Sequence, residues 1–274
     1  MTVILPHAVL PHASAATLLP SERHPAARPA RPARPVPPAP LSPPLSELLA
    51  RLPVQADGEA LRQSLFHSGT HFNPDLLTSE AERRARLEGV HAALDRAESL
   101  VFLDTESTGG RNGRLIEVAL VETDVEQNVT GGLHFRCNPH RRSLAGARRV
   151  HGIQDCELEH CPEFAARADE LLEAVRGKTV VIHDRTMDLL WLNRELQAAR
   201  PGAPRFEDRC TVVDSFVLAR AIPSERRRNG LDALLEWYGL GARGGHHDAY
   251  GDAALLSRVF FELWWDLDEW LYGE

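Results

Sequence analysis

Residues 99–106, SLVFLDTE, are an apolar run too short for a buried helix, rich in β-formers, and followed by the turn-like STGGRNGR. That pattern predicts a buried strand with an acidic end. RLIEVALVETD and VTGGLHFRC alternate well enough to be two further strands, and the short connections between them permit antiparallel hairpins with the first. Beyond them the pattern predicts a helix from Pro162 to Val175, a strand TVVIH at 179–183, a helix near 185–199, a strand CTVVD, and helices to the C-terminus. Strands interleaved with helices make an α/β layer fold.

The upstream part reads differently. Residues 21 to 45, SERHPAARPARPARPVPPAPLSPPL, offer almost nothing apolar to bury, and proline removes backbone donors. Residues 1–45 are therefore expected to form a disordered Pro/Arg-rich tail. The first twenty residues are mildly apolar, but Pro6, His7, Pro11 and His12 interrupt them and no basic residue precedes them, unlike a signal peptide. Residues 46–97 are expected to form a small helical region, with SELLARL, GEALRQSLF and SEAERRARLEGVHAALDRA carrying apolar residues at helical steps. Thr78 or Ser79 is the N-cap candidate of the last of these. Gln63 to Phe66 faintly resemble a sliding-clamp docking peptide, but Leu65 and Phe66 are better explained by core packing.

A chain of 274 residues with 43% hydrophobic content can bury one substantial core. Its net charge of −8 does not exclude nucleic acid, because bound cations neutralise a carboxylate metal site. Cys137, Cys156, Cys161 and Cys210 form no C-x-x-C pair and are read as reduced, buried thiols of a cytoplasmic protein. The spacing of His151, Cys156, His160 and Cys161 fits no common zinc pattern. No run approaches a membrane span.

Asp104 and Glu106 sit two apart at the end of a strand, so both side chains project to one face and can share a hard divalent cation. Asp188 falls in the first turn of the helix after TVVIH. His247 and Asp252 are five apart where GHHDAYGDAALLSRVF opens another helix, so the His sits on the preceding loop and Asp252 points from the helix. Each acid taken singly has a bland explanation as a strand end, a cap or a partner of the helix dipole. Together they have a chemical one: four carboxylates supply oxygen ligands for two cations about 4 Å apart, which activate water and stabilise a leaving oxygen. A neutral imidazole, with an ordinary pKa of about 6.5, supplies the proton acceptor.

LDTESTG, VIHDRTMDLLWLNREL and HHDAYGDA resemble, in order and spacing, the three motifs of the DEDD exonuclease superfamily, histidine subtype. The resemblance spans about residues 98 to 265. RLIEVALVE and RRVHGIQDCELEHCPEF bring it nearest to the branch of proofreading epsilon subunits of bacterial replicative polymerases. It implies a ribonuclease H-like mixed sheet, three antiparallel strands plus parallel ones flanked by helices, in an exonuclease domain at 98–274. It also implies two Mg²⁺ or Mn²⁺ ions and release of nucleoside 5′-monophosphates from a 3′ end. Carried over, Asp104 bridges the metals, Glu106, Asp188 and Asp252 complete their shells, and His247, not His246, is the base. Two departures are Asp184 and Met187, where the family has Asn and an aromatic residue. Asp184 is expected to cap the helix beginning near Arg185, and Met187 to fill an apolar gap.

Thr105, Ser107, Thr108, Gly109 and His151 are the candidate substrate contacts, since glycine after the first motif permits close backbone passage. Arg226, Arg227 and Arg228, with Arg220 and Arg243, are candidates for tracking phosphates, a solvated loop being the alternative. Phe260, Leu263, Trp264, Leu267, Trp270 and Leu271 recur at helical spacing and are expected to pack on the sheet, with Trp265 as an exposed aromatic. The expected partner is nucleic acid with a 3′ end, DNA favoured over RNA, with a polymerase subunit as a second partner and no membrane. RNA trimming and a non-cutting interaction module are the competing functions.

Overall fold

The computed structural model describes residues 79–273; the Pro/Arg-rich tail, the SELLARL and GEALRQSLF segments and the Gln63–Phe66 motif lie outside them. The expected acidic-ended strand is β1 (Ser99–Ser107), at the centre of a five-stranded sheet. β2 (Leu115–Asp124) and β3 (Val129–Arg136) continue it antiparallel on one side. On the other side β4 (Thr179–Ile182) and β5 (Thr211–Asp214) run parallel to it, giving the order β3-β2-β1-β4-β5. This is the ribonuclease H-like mixed sheet that the motifs imply.

Side chains alternate across a strand, so β1 feeds two cores. Leu100 and Phe102, with Val121 of β2, pack under α8 (Ala249–Tyr272), against its Leu256, Phe260 and Leu263. Val101 and Leu103, with Val118 and Leu120, face the opposite way, towards Leu192 and Leu196 of α5 (Thr186–Ala199). The apolar positions of α8 bury Phe260, Leu263, Trp264, Leu267 and Leu271 as the spacing predicts, while Trp270 and Trp265 are half-buried. Each fully buried side chain of that size contributes about 1.5–3 kcal/mol relative to exposure. Among the described residues no helix is long and apolar enough to cross a membrane.

α1 (Glu80–Leu94) starts at Ser79, whose hydroxyl accepts from the Glu82 N–H at 3.2 Å. It precedes residue 98, yet its Leu87 and Leu94 enter the same core as α8. His91 is held between Asp95 and Asp268, the latter on α8.

Three short elements depart from expectation. The stretch from Pro162 to Val175 is not one helix: a 3₁₀ turn at Phe164–Ala166 is closed by the Arg167 N–H on the Phe164 carbonyl. The α-helix of that stretch is confined to Ala168–Ala174. α2 (Ala145–His151) and α3 (Asp155–Leu158) precede it and carry too few residues for a periodic signal. In chain order Ala168–Ala174 is α4, and Ser215–Ala221 and Leu231–Trp237 are α6 and α7. Gly152 ends α2 with a left-handed φ of 72°.

Candidate active site

The site assembles at the carboxyl end of β1, where a β-bulge follows Glu106 and pairing with β2 shifts register. Open sheets with parallel strands commonly place chemistry outside the carboxyl ends of those strands, and bulges re-aim side chains there. Asp104 and Glu106 share the face covered by α8. Asp252, in the first turn of α8, is buried on the same side. Asp188, in the first turn of α5, arrives from the opposite face and accepts a 2.6 Å hydrogen bond from the Thr105 hydroxyl. His247 lies on the loop before α8; its N–H bonds the Val150 carbonyl at 2.9 Å, and its Nδ1 is 3.4 Å from Asp252 Oδ2. One donor atom each from Glu106, His247 and Asp252 lie within 4.8 Å of one another.

The carboxylates repel one another. Burial lifts Asp104 well above the ordinary carboxylate range, and the charges of Asp188, Glu106 and Asp252 act in the same direction. Glu106 is driven up to about 8 by burial and by Asp252, Glu117 and Asp188. Asp188 rises to about 7 through burial, against the hydrogen bond from Thr105. Asp252 rises to about 6 through burial, with Arg243 opposing. Burial and Arg243 lower His247 below its ordinary value. A buried cluster of hard oxygen donors this short of positive charge fits divalent cations of the Mg²⁺ type.

Sequence reasoning missed the residues that hold these donors in place. Glu117 of β2 is the cross-strand partner of Glu106 and almost fully buried. It accepts from Arg136 at 2.8 Å, from the Ala249 N–H at 3.0 Å, and pairs with His134 at 3.1 Å. It thereby ties the first turn of α8 to the sheet. Burial alone would raise its pKa, but the His134, Ala249 and Arg136 contacts override this and hold it down at about 2. The available signal was an acid inside the otherwise apolar run LIEVAL. Asp214 at the end of β5 caps α6 and also accepts from the Asp184 N–H at 3.2 Å and the Arg185 N–H at 3.4 Å.

That last contact corrects the capping role expected of Asp184. Arg185 occupies the N-cap of α5 without a side-chain bond, and Asp184 is an exposed residue in the left-handed region, φ 56°. The Asn of the family and the Asp here share a tolerance for that conformation. Met187 is half-buried.

The candidate substrate contacts separate into two groups. Thr108 is wholly buried, its hydroxyl oxygen accepting from the Arg114 N–H at 3.0 Å and its own N–H donating to the Arg114 carbonyl, so its backbone donor is engaged and its hydroxyl is covered. Ser107 is buried and accepts from the Gly109 N–H at 3.1 Å. Gly109 has φ 88°, and a Cβ there would lie 2.9 Å from Ala147 Cβ. Thr105 is engaged with Asp188. His151 is buried with Nδ1 accepting from the Ile153 N–H at 3.0 Å, which leaves the proton on Nε2, a buried atom without a protein partner.

Arg226 is not a phosphate tracker: it is buried, bonded to Asp266 at 2.6 Å and to the Ala219 carbonyl at 3.1 Å. Arg228 pairs with Glu236 on the surface. Arg243 enters the site itself, its Nη1 on Asp252 and its Nε 3.0 Å from Asp232. Of the four thiols expected to be buried, Cys137 and Cys210 are; Cys156 is exposed and Cys161 half-buried, on the short surface segment around α3, which carries too little apolar sequence to cover them.

The chain is 34% identical over 168 residues to the DNA polymerase III subunit epsilon of Rickettsia felis, covering 60% of this chain and 72% of that protein. It is 33% identical over 172 residues to the subunit of the same name from Escherichia coli K12, covering 60% and 70%. Among solved structures, Exonuclease I in its apo form overlaps 60% of this chain and 41% of its own, with a TM-score of 0.49 at 20% identity. Exonuclease X in complex with 5′ overhanging duplex DNA overlaps 60% and 90%, with a TM-score of 0.46 at 18% identity. Residues 101–260, more than half of the chain, match the Exonuclease family (RNase_T), and the chain belongs to that family.

Proposed function

We propose that this exonuclease removes nucleoside 5′-monophosphates from the 3′ end of DNA, in proofreading or repair, using two divalent cations, Mg²⁺ or Mn²⁺. The observation that carries the reading is the meeting of four electrostatically opposed carboxylates with one half-buried histidine at the end of β1. Asp104, Glu106, Asp188 and Asp252 are the cation ligands in this reading. Cations bound there supply charge that activates water and stabilises the departing 3′-oxygen. His247 is the general base: with Nδ1 turned to Asp252, Nε2 is the nitrogen that takes the proton from the attacking water. Its lowered pKa keeps that nitrogen unprotonated at neutral pH. Thr105 fixes Asp188, and His151 offers Nε2–H to the terminal nucleotide. Gly109 keeps the turn after β1 close to α2, and Ser107 braces it.

The relatives are named as polymerase subunits, and we take a DNA polymerase subunit as the second partner, testable by co-elution with a polymerase. The four free thiols suit a cytoplasmic setting, where they stay reduced.

The decisive experiment is time-resolved digestion of 5′-labelled single-stranded DNA and matched RNA with Mg²⁺ or Mn²⁺. Wild type is expected to produce a 3′-end ladder, faster on DNA. His247→Ala loses about 10²- to 10⁴-fold in rate, and Asp104→Ala loses at least as much, with circular dichroism unchanged. Digestion of neither polymer by folded, metal-supplied wild type refutes the reading, and faster RNA digestion turns it to RNA trimming.

A further inference from the structure

Arg243 is the cation that the donor cluster already contains. Its guanidinium spans two carboxylates, Nη1 on Asp252 Oδ2 and Nε on Asp232 Oδ1 at 3.0 Å. The Asp252 oxygen it occupies is the one that His247 Nδ1 faces at 3.4 Å. Its side chain is 12% exposed although it stands on a loop, and Asp252 beneath it is 4% exposed. Three glycines surround Arg243 on that loop, Gly241 and Gly245 at φ 94° and 89° and Gly244 directly after it, and a Cβ at any of the three would meet nothing within 4 Å. His247 rides at its far end.

We propose that Arg243 is an exchangeable counter-ion: it neutralises Asp252 in the metal-free enzyme, yields that carboxylate to a divalent cation, and then binds a phosphate of the nucleic acid. This rests on the reading of Asp252 as a metal ligand. A guanidinium and a hard dication compete for the same carboxylate oxygen and repel one another at that separation, so filling the site weakens the ion pair to Asp252 and releases the guanidinium. Freed from Asp252, it remains tethered by Asp232 at the site's rim. A planar guanidinium there matches the geometry of a phosphodiester. Exchange also links readiness to cut with readiness to hold the strand, because the phosphate ligand appears only once the cation site is filled.

The exchange predicts effects of opposite sign for Arg243→Gln. Without nucleic acid, calorimetric titration with Mn²⁺ should show binding about tenfold tighter than wild type, since no ion pair must break. With Ca²⁺ in place of the catalytic cation, single-stranded DNA should bind about tenfold more weakly, since a phosphate ligand is gone. Arg243→Lys, which keeps the charge but not the fork, should recover Mn²⁺ affinity towards wild type and leave DNA binding impaired. In wild type, the Arg243 Nε–H resonance should shift as Mn²⁺'s diamagnetic stand-in Mg²⁺ is titrated. Unchanged or weaker Mn²⁺ binding by Arg243→Gln, unimpaired DNA binding, or an unmoved resonance overturns the proposal. Failure of wild type to bind Mn²⁺ at all, with Asp104→Ala indistinguishable from it, refutes instead the reading of the site on which the proposal stands.

Discussion

At the scale of single residues, the site depends on acids with opposite electrostatic settings a few ångströms apart. Glu106 and its cross-strand partner Glu117 are both buried, yet one is lifted to about 8 and the other held at about 2. The difference lies in donors: Glu117 has a guanidinium, an imidazole and a backbone N–H, while Glu106 faces further carboxylates. Glu117→Gln therefore loses charge-assisted bonds in a buried place, and is expected to cost about 1.5–3 kcal/mol in urea unfolding at pH 7. Because the folded-state carboxyl titrates below its unfolded value of 4.5, its stabilisation is complete above that pH and is lost as pH falls through about 2. The gap between wild type and variant should accordingly narrow on acidification. A variant as stable as wild type at pH 7 would remove Glu117 from its role in anchoring α8.

At the scale of elements, His247, the proposed base, is positioned by contact between α2 and the loop before α8. The His247 N–H bonds Val150, and the neighbouring His246 ring lies against Gly152, where a Cβ would come within 2.7 Å of it. Gly152 also has φ 72°, which costs a side-chain-bearing residue about 1–2 kcal/mol. Gly152→Ala is expected to displace the loop and lower kcat about tenfold or more while metal affinity and fold persist, since misplacement by an ångström is enough. Steady-state kinetics with circular dichroism checks this; wild-type kcat would show that the loop is placed by α8 alone. The two histidines of the HH pair differ accordingly: His247 is half-buried and directed at Asp252, while His246 is exposed with its ring against Gly152.

At the scale of the whole molecule, the metal-free protein carries an internal strain of charge. Glu106, Asp188 and Asp252 titrate at about 8, 7 and 6 in the folded state, above their unfolded values. Raised acids stabilise the fold only while protonated, so this contribution is complete below about pH 4 and is lost as pH rises through 6 to 8. In EDTA the melting temperature is expected to fall between pH 5.5 and 8.5, to fall less steeply for Asp188→Asn, and to be restored by Mg²⁺ at pH 8. A melting temperature that is flat with pH and indifferent to Mg²⁺ would contradict the crowding of these acids.

Much of this architecture is written in local periodicity. A step of two places Asp104 with Glu106, a helix start places Asp188 and Asp252, and the alternation of strand and helix patterns yields an α/β layer fold, which the family motifs narrow to the mixed sheet. Residue types pointed to the proposed chemistry, because hard carboxylates and one histidine have few other joint uses. The sequence did not disclose partners far apart along the chain: Glu117 and Ala249 meet across 132 residues, and Thr105 and Asp188 across 83. Nor did it show that Thr108 is consumed by Arg114, that Arg226 is a buried strut, or that Asp214 rather than Asp184 secures the bend before α5. Local rules determine which face a side chain takes on its own element. Which hydrogen-bond donor or opposing charge it then meets is decided by how β1, β2, α5 and α8 pack, and that meeting sets each acid's charge.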